Sequence, residues 1–255
     1  MVSTDDPRSV HDDIVATITG HRSIRRFRPE PIDEATVDAL LACAQAAPTS
    51  SHKQAYSVVR VTDPAAKQIL AVIAEEEEWF DQAPLILVWC ADLHRIRTVV
   101  HAAGQPAAYD NMEEFMVATI DATLAAAYAY VAAELLGLGG VLIGGLRNDP
   151  ARVTEVLGLP QLVAPLFGMC LGYPAEDPQS KPRLPRPAIL HVDRYDADTI
   201  LPEVDAYDEV VSRYYEERET NRRRTTWTSE MIRKFAQAER PHMRDYLESQ
   251  GFRFD

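Results

Sequence analysis

The feature that most constrains this chain is the apolar run from Val117 to Leu138. It is rich in alanine and has roughly the length needed to cross a bilayer. Asp121 and Glu134 lie inside it, and ionised side chains are costly at membrane depth. The run therefore reads as a long helix buried in the middle of a soluble protein. Ala122, Ala125, Ala126, Ala127, Ala129, Ala132 and Ala133 supply the small side chains that let neighbouring helices approach closely. A chain of 255 residues is long enough to bury such a helix in a sizeable core.

The flanking patterns place further elements around it. A first helix is expected over Val10–Ile18 and a second from Ile32 to Ala47, with Ile32, Val37, Leu40, Leu41 and Ala44 on one face. Ala55–Val61 alternates as a strand, and Asp63-Pro64 opens a helix to about Ala74. Pro84–Cys90 is continuously apolar, the pattern of a strand buried on both faces. His94 to Tyr109 reads as irregular. Val141–Ile143 is a short strand closing on Gly144-Gly145, Pro150–Leu157 a helix and Pro165–Tyr173 another strand, followed by a proline-rich loop to Pro187. Past Asp196 the chain turns polar and helical, without material for a core of its own. Strands separated by helices give an α+β or α/β layering, and the crossover lengths predict parallel pairs.

The net charge of −13 argues against non-specific nucleic-acid binding, so any anionic ligand must meet local clusters of cations. One such cluster is His21-Arg22-Ser23-Ile24-Arg25-Arg26-Phe27. Arginine grips phosphate by bidentate, charge-assisted hydrogen bonds, and Arg22 and Arg25 would face the same way on one helical turn. A basic surface turn is an equal reading of those residues taken alone. A second cluster joins Arg218 to Arg222, Arg223 and Arg224, which reads as a solvated basic patch, a polyanion contact or a cofactor clamp. Cys43, Cys90 and Cys170 are far apart in apolar surroundings and show no disulfide or metal spacing, so reduced thiols in a cytoplasmic protein and no metal site are expected. Met1–Asp13 is acidic and has no apolar core, unlike a secretory signal.

His21-Arg22-Ser23-Ile24-Arg25, Pro48-Thr49-Ser50-Ser51 and Gln54 together resemble the nitroreductase superfamily. The stretch Gly137 to Asn148, Leu171-Gly172-Tyr173-Pro174, Lys181 to Pro185 and Asn221 to Trp227 resemble its branch of oxygen-insensitive NADPH nitroreductases and NADPH–FMN flavin reductases. The resemblance runs from about residue 14 to the C-terminus. It implies an α+β, nitroreductase-like mixed sheet flanked by helices in an intertwined homodimer, with FMN bound at the subunit interface. The implied reaction is ping-pong: NADPH reduces FMN by two-electron hydride transfer, departs, and a small-molecule acceptor takes the electrons. The implied organisation is a flexible extension over residues 1–13, an FMN-binding core over 14–195, and a C-terminal helical extension over 196–255 that wraps the dimer and carries the NADPH loop.

The resemblance assigns His21, Arg22, Ser23, Ile24 and Arg25 to the FMN phosphate and ribityl chain, with Lys181 and Arg183 as further contacts. Ser50, Gln54, Ile143, Gly144 and Gly145 border the ring, where glycine lets backbone come close. Arg218, Arg223 and Arg224 align with arginines that engage the NADPH 2′-phosphate, and Arg240 with one lining the acceptor pocket. His52 and Lys53 stand where the branch places apolar residues, which assigns His52 to the substrate side. Glu77 replaces a glutamine that contacts the flavin in the family, and a carboxylate there would repel a reduced, anionic ring. No catalytic side chain is required, because FMN carries the chemistry. The expected activity is reduction of nitroaromatics, quinones or flavins. The alternatives are an NADPH:FMN reductase supplying a partner monooxygenase, and a non-enzymatic flavin- or anion-binding module. Neither nucleic acid nor membrane is an expected partner.

Overall fold

The computed structural model describes residues 7–106 and 109–254. Residues 1–6 of the expected N-terminal extension, Ala107 and Ala108 of the expected irregular stretch, and Asp255 lie outside the described residues. In chain order the elements are α1 (Pro7–Thr19), α2 (Glu34–Gln45), β1 (Tyr56–Arg60), α3 (Pro64–Ala74), α4 (Glu77–Gln82), β2 (Leu85–Asp92), α5 (His94–Ala102), α6 (Met112–Leu135), β3 (Gly139–Ile143), α7 (Pro150–Leu157), β4 (Val163–Gly172), α8 (Ile200–Glu217), α9 (Trp227–Phe235) and α10 (Met243–Ser249). Short 3₁₀ turns cover Ser50–His52, Gly144–Asn148 and Arg186–Ala188.

Helix starts follow side-chain chemistry. Asp33 accepts from Thr36 N at 2.7 Å, Asp63 from Ala66 N at 3.1 Å, Asn111 from Glu114 N at 3.0 Å and Asp149 from Arg152 N at 3.0 Å. Each satisfies a backbone donor that the first helical turn leaves open, an interaction worth about 1 kcal/mol.

The chain forms two compact units, one of residues 1–178 with 242–255 and the other of residues 179–241. The first holds a four-stranded sheet in the order β1-β2-β4-β3. β2 is buried along its whole length, as its continuous apolar sequence predicts. Its side chains alternate between two cores. Ile86, Val88 and Cys90 join Leu70, Phe80, Leu146 and Val153 on one face, while Leu85, Leu87 and Trp89 join Leu40, Ala126 and Ala129 of α2 and α6 on the other. A third cluster holds Ala118 and Ala122 of α6 with Tyr246, Leu247 and Phe252.

The α+β class stands, but the expected mixed sheet with parallel pairs is corrected: every pairing between the named strands is antiparallel. The long crossover through α5 and α6 does return β3 in the same direction as β2. β4 then lies between them, antiparallel to both, so crossover length set direction but not adjacency. One further correction concerns a helix: α5 occupies part of the stretch expected to be irregular. α5 buries no residue fully, and its apolar positions are only Ile96, Val99 and Val100 with the terminal Ala102, of which Ile96 packs on the third core cluster, so the pattern is short among histidines and arginines. α4 begins at Glu77, in a stretch for which the sequence pattern predicts no element.

The second unit is also more organised than its polar sequence predicts. Tyr207, Val211 and Tyr215 of α8 pack with Leu184, Tyr214 and Trp227 into a small aromatic cluster.

Candidate active site

The segment from His21 to Arg28 is irregular rather than helical, with a single antiparallel bridge from Phe27 to Pro174. Ile24 and Phe27 are buried, at 4% and 6% exposure, and pull the backbone against the sheet end. Ile24 N donates to Gly140 O at 2.8 Å, Arg28 N to Tyr173 O at 2.8 Å, and Ala175 N to Arg26 O at 2.9 Å. The expectation that Arg22 and Arg25 share a helical turn is therefore corrected, because sheet-edge hydrogen bonding outcompetes local helix. Glycine makes the approach possible: a Cβ on Gly139 would lie 2.5 Å from Ile24 Cγ1.

The donors of this segment rest on carboxylates. Glu176 Oε1 accepts from Arg25 N at 2.6 Å and Arg26 N at 3.1 Å. Arg22 pairs with Asp177, which is 82% exposed. His21 Nδ1 lies 2.6 Å from Glu134 Oε1 of α6 and meets the Tyr130 ring edge-on at 5.4 Å. Tyr130 donates to Gly140 O, and burial pushes its phenol well above the usual tyrosine range. Arg25 stacks over Trp79 at 4.8 Å. Ser23 is half-buried, and its carbonyl accepts from Arg25 Nη1 at 3.5 Å. Arg22 and Ile24 share a cavity of about 270 Å³ with Glu134, Gly139 and Glu176.

Thr49 to Ala55 forms the second element. Ser50, His52 and Gln54 are exposed, and Gln54 Nε2 lies 3.2 Å from His52 Nε2. Ser51, His52 and Gln54 all hold positive φ, at 49°, 57° and 51°. Two carboxylates of α6 reach the loop. Asp121, wholly buried, accepts from Ser50 N through Oδ1 and from Ala55 N through Oδ2, both at 3.0 Å. Glu114 takes Lys53 Nζ at 2.7 Å and 2.8 Å, so the departure at Lys53 is an ion pair to α6.

α6 thus anchors both predicted flavin elements. Asp121 and Glu134 are thirteen positions apart in the sequence, about 20 Å along the helix axis. Ile143, Gly144 and Gly145 close β3 at the end opposite Gly139 and Gly140. Gly145 packs on α3, where a Cβ would lie 2.5 Å from Ala74 O; at Gly144 it would meet only the Arg147 guanidinium, at 3.0 Å. Glu77 is exposed at the start of α4.

Within the second unit Lys181, Arg183 and Arg223 line one cavity of about 560 Å³ with Tyr207, Tyr215 and Trp227. Residues expected at two different phosphates therefore share one pocket. Tyr215 is its hub: Arg223 lies over the ring at 4.4 Å, Arg218 at 5.4 Å and Lys181 at 5.8 Å. Burial pushes the Tyr215 phenol up, but hydrogen bonds and charge from Lys181 and Arg223 outweigh it and bring it below its ordinary value. Arg223 also pairs with Glu230 at 3.4 Å. Arg224 is exposed, outside the residues lining the cavity. Arg240 holds a positive φ of 52° and lies 3.4 Å from Glu239.

Sequence reasoning missed Asp121, Glu134 and Tyr215 as parts of these elements. The signal available was the oddity of two acids in an apolar helix, which spoke only against a membrane span.

The fold and these elements define a class. Residues 18–173 match the Nitroreductase family and residues 181–255 the Nitroreductase family, C-terminal domain, so the chain belongs to the nitroreductase family. It is 40% identical over 242 residues to "FMN reductase (NADPH)" of Bacillus subtilis, covering 93% of this chain and 97% of that protein. It is 38% identical over 240 residues to "Oxygen-insensitive NADPH nitroreductase" of Salmonella typhimurium, with the same coverage. Among solved structures, the NADPH:FMN oxidoreductase of Vibrio harveyi complexed with NAD+ matches with a TM-score of 0.84 at 38% identity, covering 94% of this chain and 98% of that one.

Proposed function

We propose that this nitroreductase-family protein is an FMN-dependent NADPH oxidoreductase that reduces nitroaromatics, quinones or flavins in two-electron, ping-pong cycles. The observation that carries this reading is the donor set of residues 21–26. His21, Arg22 and the N–H groups of Arg25 and Arg26 pair with Glu134, Asp177 and Glu176, and Asp177, 82% exposed, can swing into solvent and leave the Arg22 guanidinium to a phosphate. With that exchange the donor set fits the phosphate of FMN. When bound, FMN supplies the two-electron chemistry. His21, Arg22, Ser23, Ile24 and Arg25, with Lys181 and Arg183, hold its phosphate and ribityl chain. Ser50, Gln54, Ile143, Gly144 and Gly145 border its ring. Arg218, Arg223 and Arg224 take the 2′-phosphate of NADPH, and His52 and Arg240 line the acceptor pocket.

The working unit in this proposal is a homodimer whose two FMN sites lie between subunits. An apolar stripe on α6 supports it: Met112, Met116, Ile120, Tyr128 and Leu135 are each 45–52% exposed and recur at helical spacing. The organisation proposed is an extension over residues 1–13, a core over 14–195 and a dimer-wrapping extension over 196–255. Three unpaired cysteines agree with a reducing, cytoplasmic setting.

The test is the visible spectrum of the purified protein with FMN, followed by NADPH under anaerobic conditions. Bleaching of the flavin bands is the expected result, and a protein that stays colourless with added FMN overturns the proposal. Parallel turnover with nitrofurazone, a quinone and free FMN separates the acceptor classes. Arg223→Ala should raise KM for NADPH far more than for NADH; an equal rise removes Arg223 from the 2′-phosphate.

A further inference from the structure

We infer that Asp121 is a positioning residue: it holds the loop from Ser50 to Ala55 in the shape that presents Ser50, His52 and Gln54. This rests on the proposed role of that loop at the flavin, but its first readout does not.

A carboxylate with no solvent exposure among Ala118, Ala122 and Ala125 is expensive unless its oxygens are hydrogen-bonded. Both oxygens of Asp121 are used, and both partners are backbone donors of the same loop, at Ser50 N and Ala55 N. Between those two clamped amides the chain takes positive φ at Ser51, His52 and Gln54. None of them is glycine, and left-handed backbone is unfavourable for each. The loop's own bonds are few: Lys53 N donates to Ser50 O at 2.9 Å, His52 N to Thr49 O at 3.3 Å and Gln54 Nε2 to His52 O at 3.4 Å. From outside, Arg95 Nη1 donates to Gln54 O at 2.9 Å, but only Asp121 holds both ends of the loop, and it supplies restraint that local preference does not. Glu114, seven positions earlier on the same helix face, pins Lys53 and leaves the exposed side chains pointing outward.

The full-length protein with Asp121→Asn tests this. The amide keeps one acceptor and turns its NH₂ toward the other loop N–H. In FMN-free protein, hydrogen exchange at Ser50 and Ala55 should quicken about tenfold or more, while Val88 in β2 keeps its protection. In protein loaded with FMN, the dissociation constant should rise about tenfold and the flavin's visible circular dichroism should change. Unchanged exchange at both amides, with wild-type FMN affinity, overturns the inference. Lowered thermal stability with unchanged exchange and affinity assigns Asp121 a merely structural role and overturns it equally. If the wild-type protein binds no FMN, the functional proposal fails while the exchange experiment still judges Asp121. Should Asp121→Asn not fold, Ser50→Pro removes one clamped donor without touching the helix: faster exchange at Ala55 supports the inference and unchanged exchange refutes it.

Discussion

Gly145→Ala and Gly144→Ala form a pair whose outcomes should differ sharply. At Gly145 the added methyl would sit 2.5 Å from Ala74 O and 2.9 Å from Ala74 Cα, about 0.9 Å short of ordinary contact. Both neighbours are backbone, at the buried end of α3, just before Glu75 turns the chain through a φ of 59°. Neither can swing aside, so the cost falls at the upper end of overpacking penalties, about 3 kcal/mol. In a protein of this size that lowers Tm by about 6–12 °C. At Gly144 the methyl meets the Arg147 guanidinium at 3.0 Å, a side-chain end that need give only a few tenths of an ångström while Nη1 keeps its bond to Leu166 O, so the loss should be about 1 kcal/mol. Neither glycine holds a positive φ, so backbone strain does not enter. Thermal unfolding of both variants without FMN, followed by circular dichroism, measures the difference. If Gly145→Ala melts within about 2 °C of wild type, or the two variants fall equally, helix packing is not what requires glycine there.

Substituting Ile120→Glu puts a charge in the apolar α6 stripe and should convert the proposed dimer to monomer in analytical ultracentrifugation; an unchanged sedimentation coefficient removes that stripe from the interface. Thiol titration of the native protein near neutral pH should modify only half-buried Cys43, because burial pushes Cys90 and Cys170 up to about 12. Fast reaction of all three thiols would contradict that burial. The same two thiols, with Tyr246 raised to about 12 by burial, predict alkaline destabilisation. The unfolded thiols ionise near their ordinary value of 9 while the folded ones stay protonated, so the unfolded state binds fewer protons at high pH. Stability is full below about pH 9 and falls as pH climbs toward 12, by at most about 1.4 kcal/mol per unit for each group. Urea midpoints that stay level from pH 8 to pH 11 would refute it.

The elements that were legible in the sequence are those whose signal is local and whose burial is strong. β2 is apolar without interruption because both its faces are covered, and α3 and α7 begin at Asp-Pro pairs that cap and preset the first turn. The interior helix was legible from composition, though its start at Met112 depends on the Asn111 cap. Local patterns misled where partners are distant. The spacing of Arg22 and Arg25 describes a helical turn, yet Gly140 and Tyr173, far along the chain, hold that segment out of a helix. The order of strands was hidden for the same reason, since nothing within β4 states that it inserts beside β2. Asp121 meets its loop partners across 66 and 71 residues, and no spacing rule reaches that far. Tyr215 is one tyrosine among ten in the sequence, and only the fold reveals which one the cations surround.

Because Glu114, Asp121 and Glu134 all project from one continuous rod, the His21 segment and the Ser50–Ala55 loop they hold cannot be tuned separately from within the core. Enlarging Ala126 or Ala129, where that rod nests against α2 and β2, would tilt it as a lever and shift the His21 end and the Gln54 end in a single stroke. Changes confined to the exposed side chains at positions 50, 52 and 54 would leave the alanine seam, and with it the spacing of the two elements, untouched.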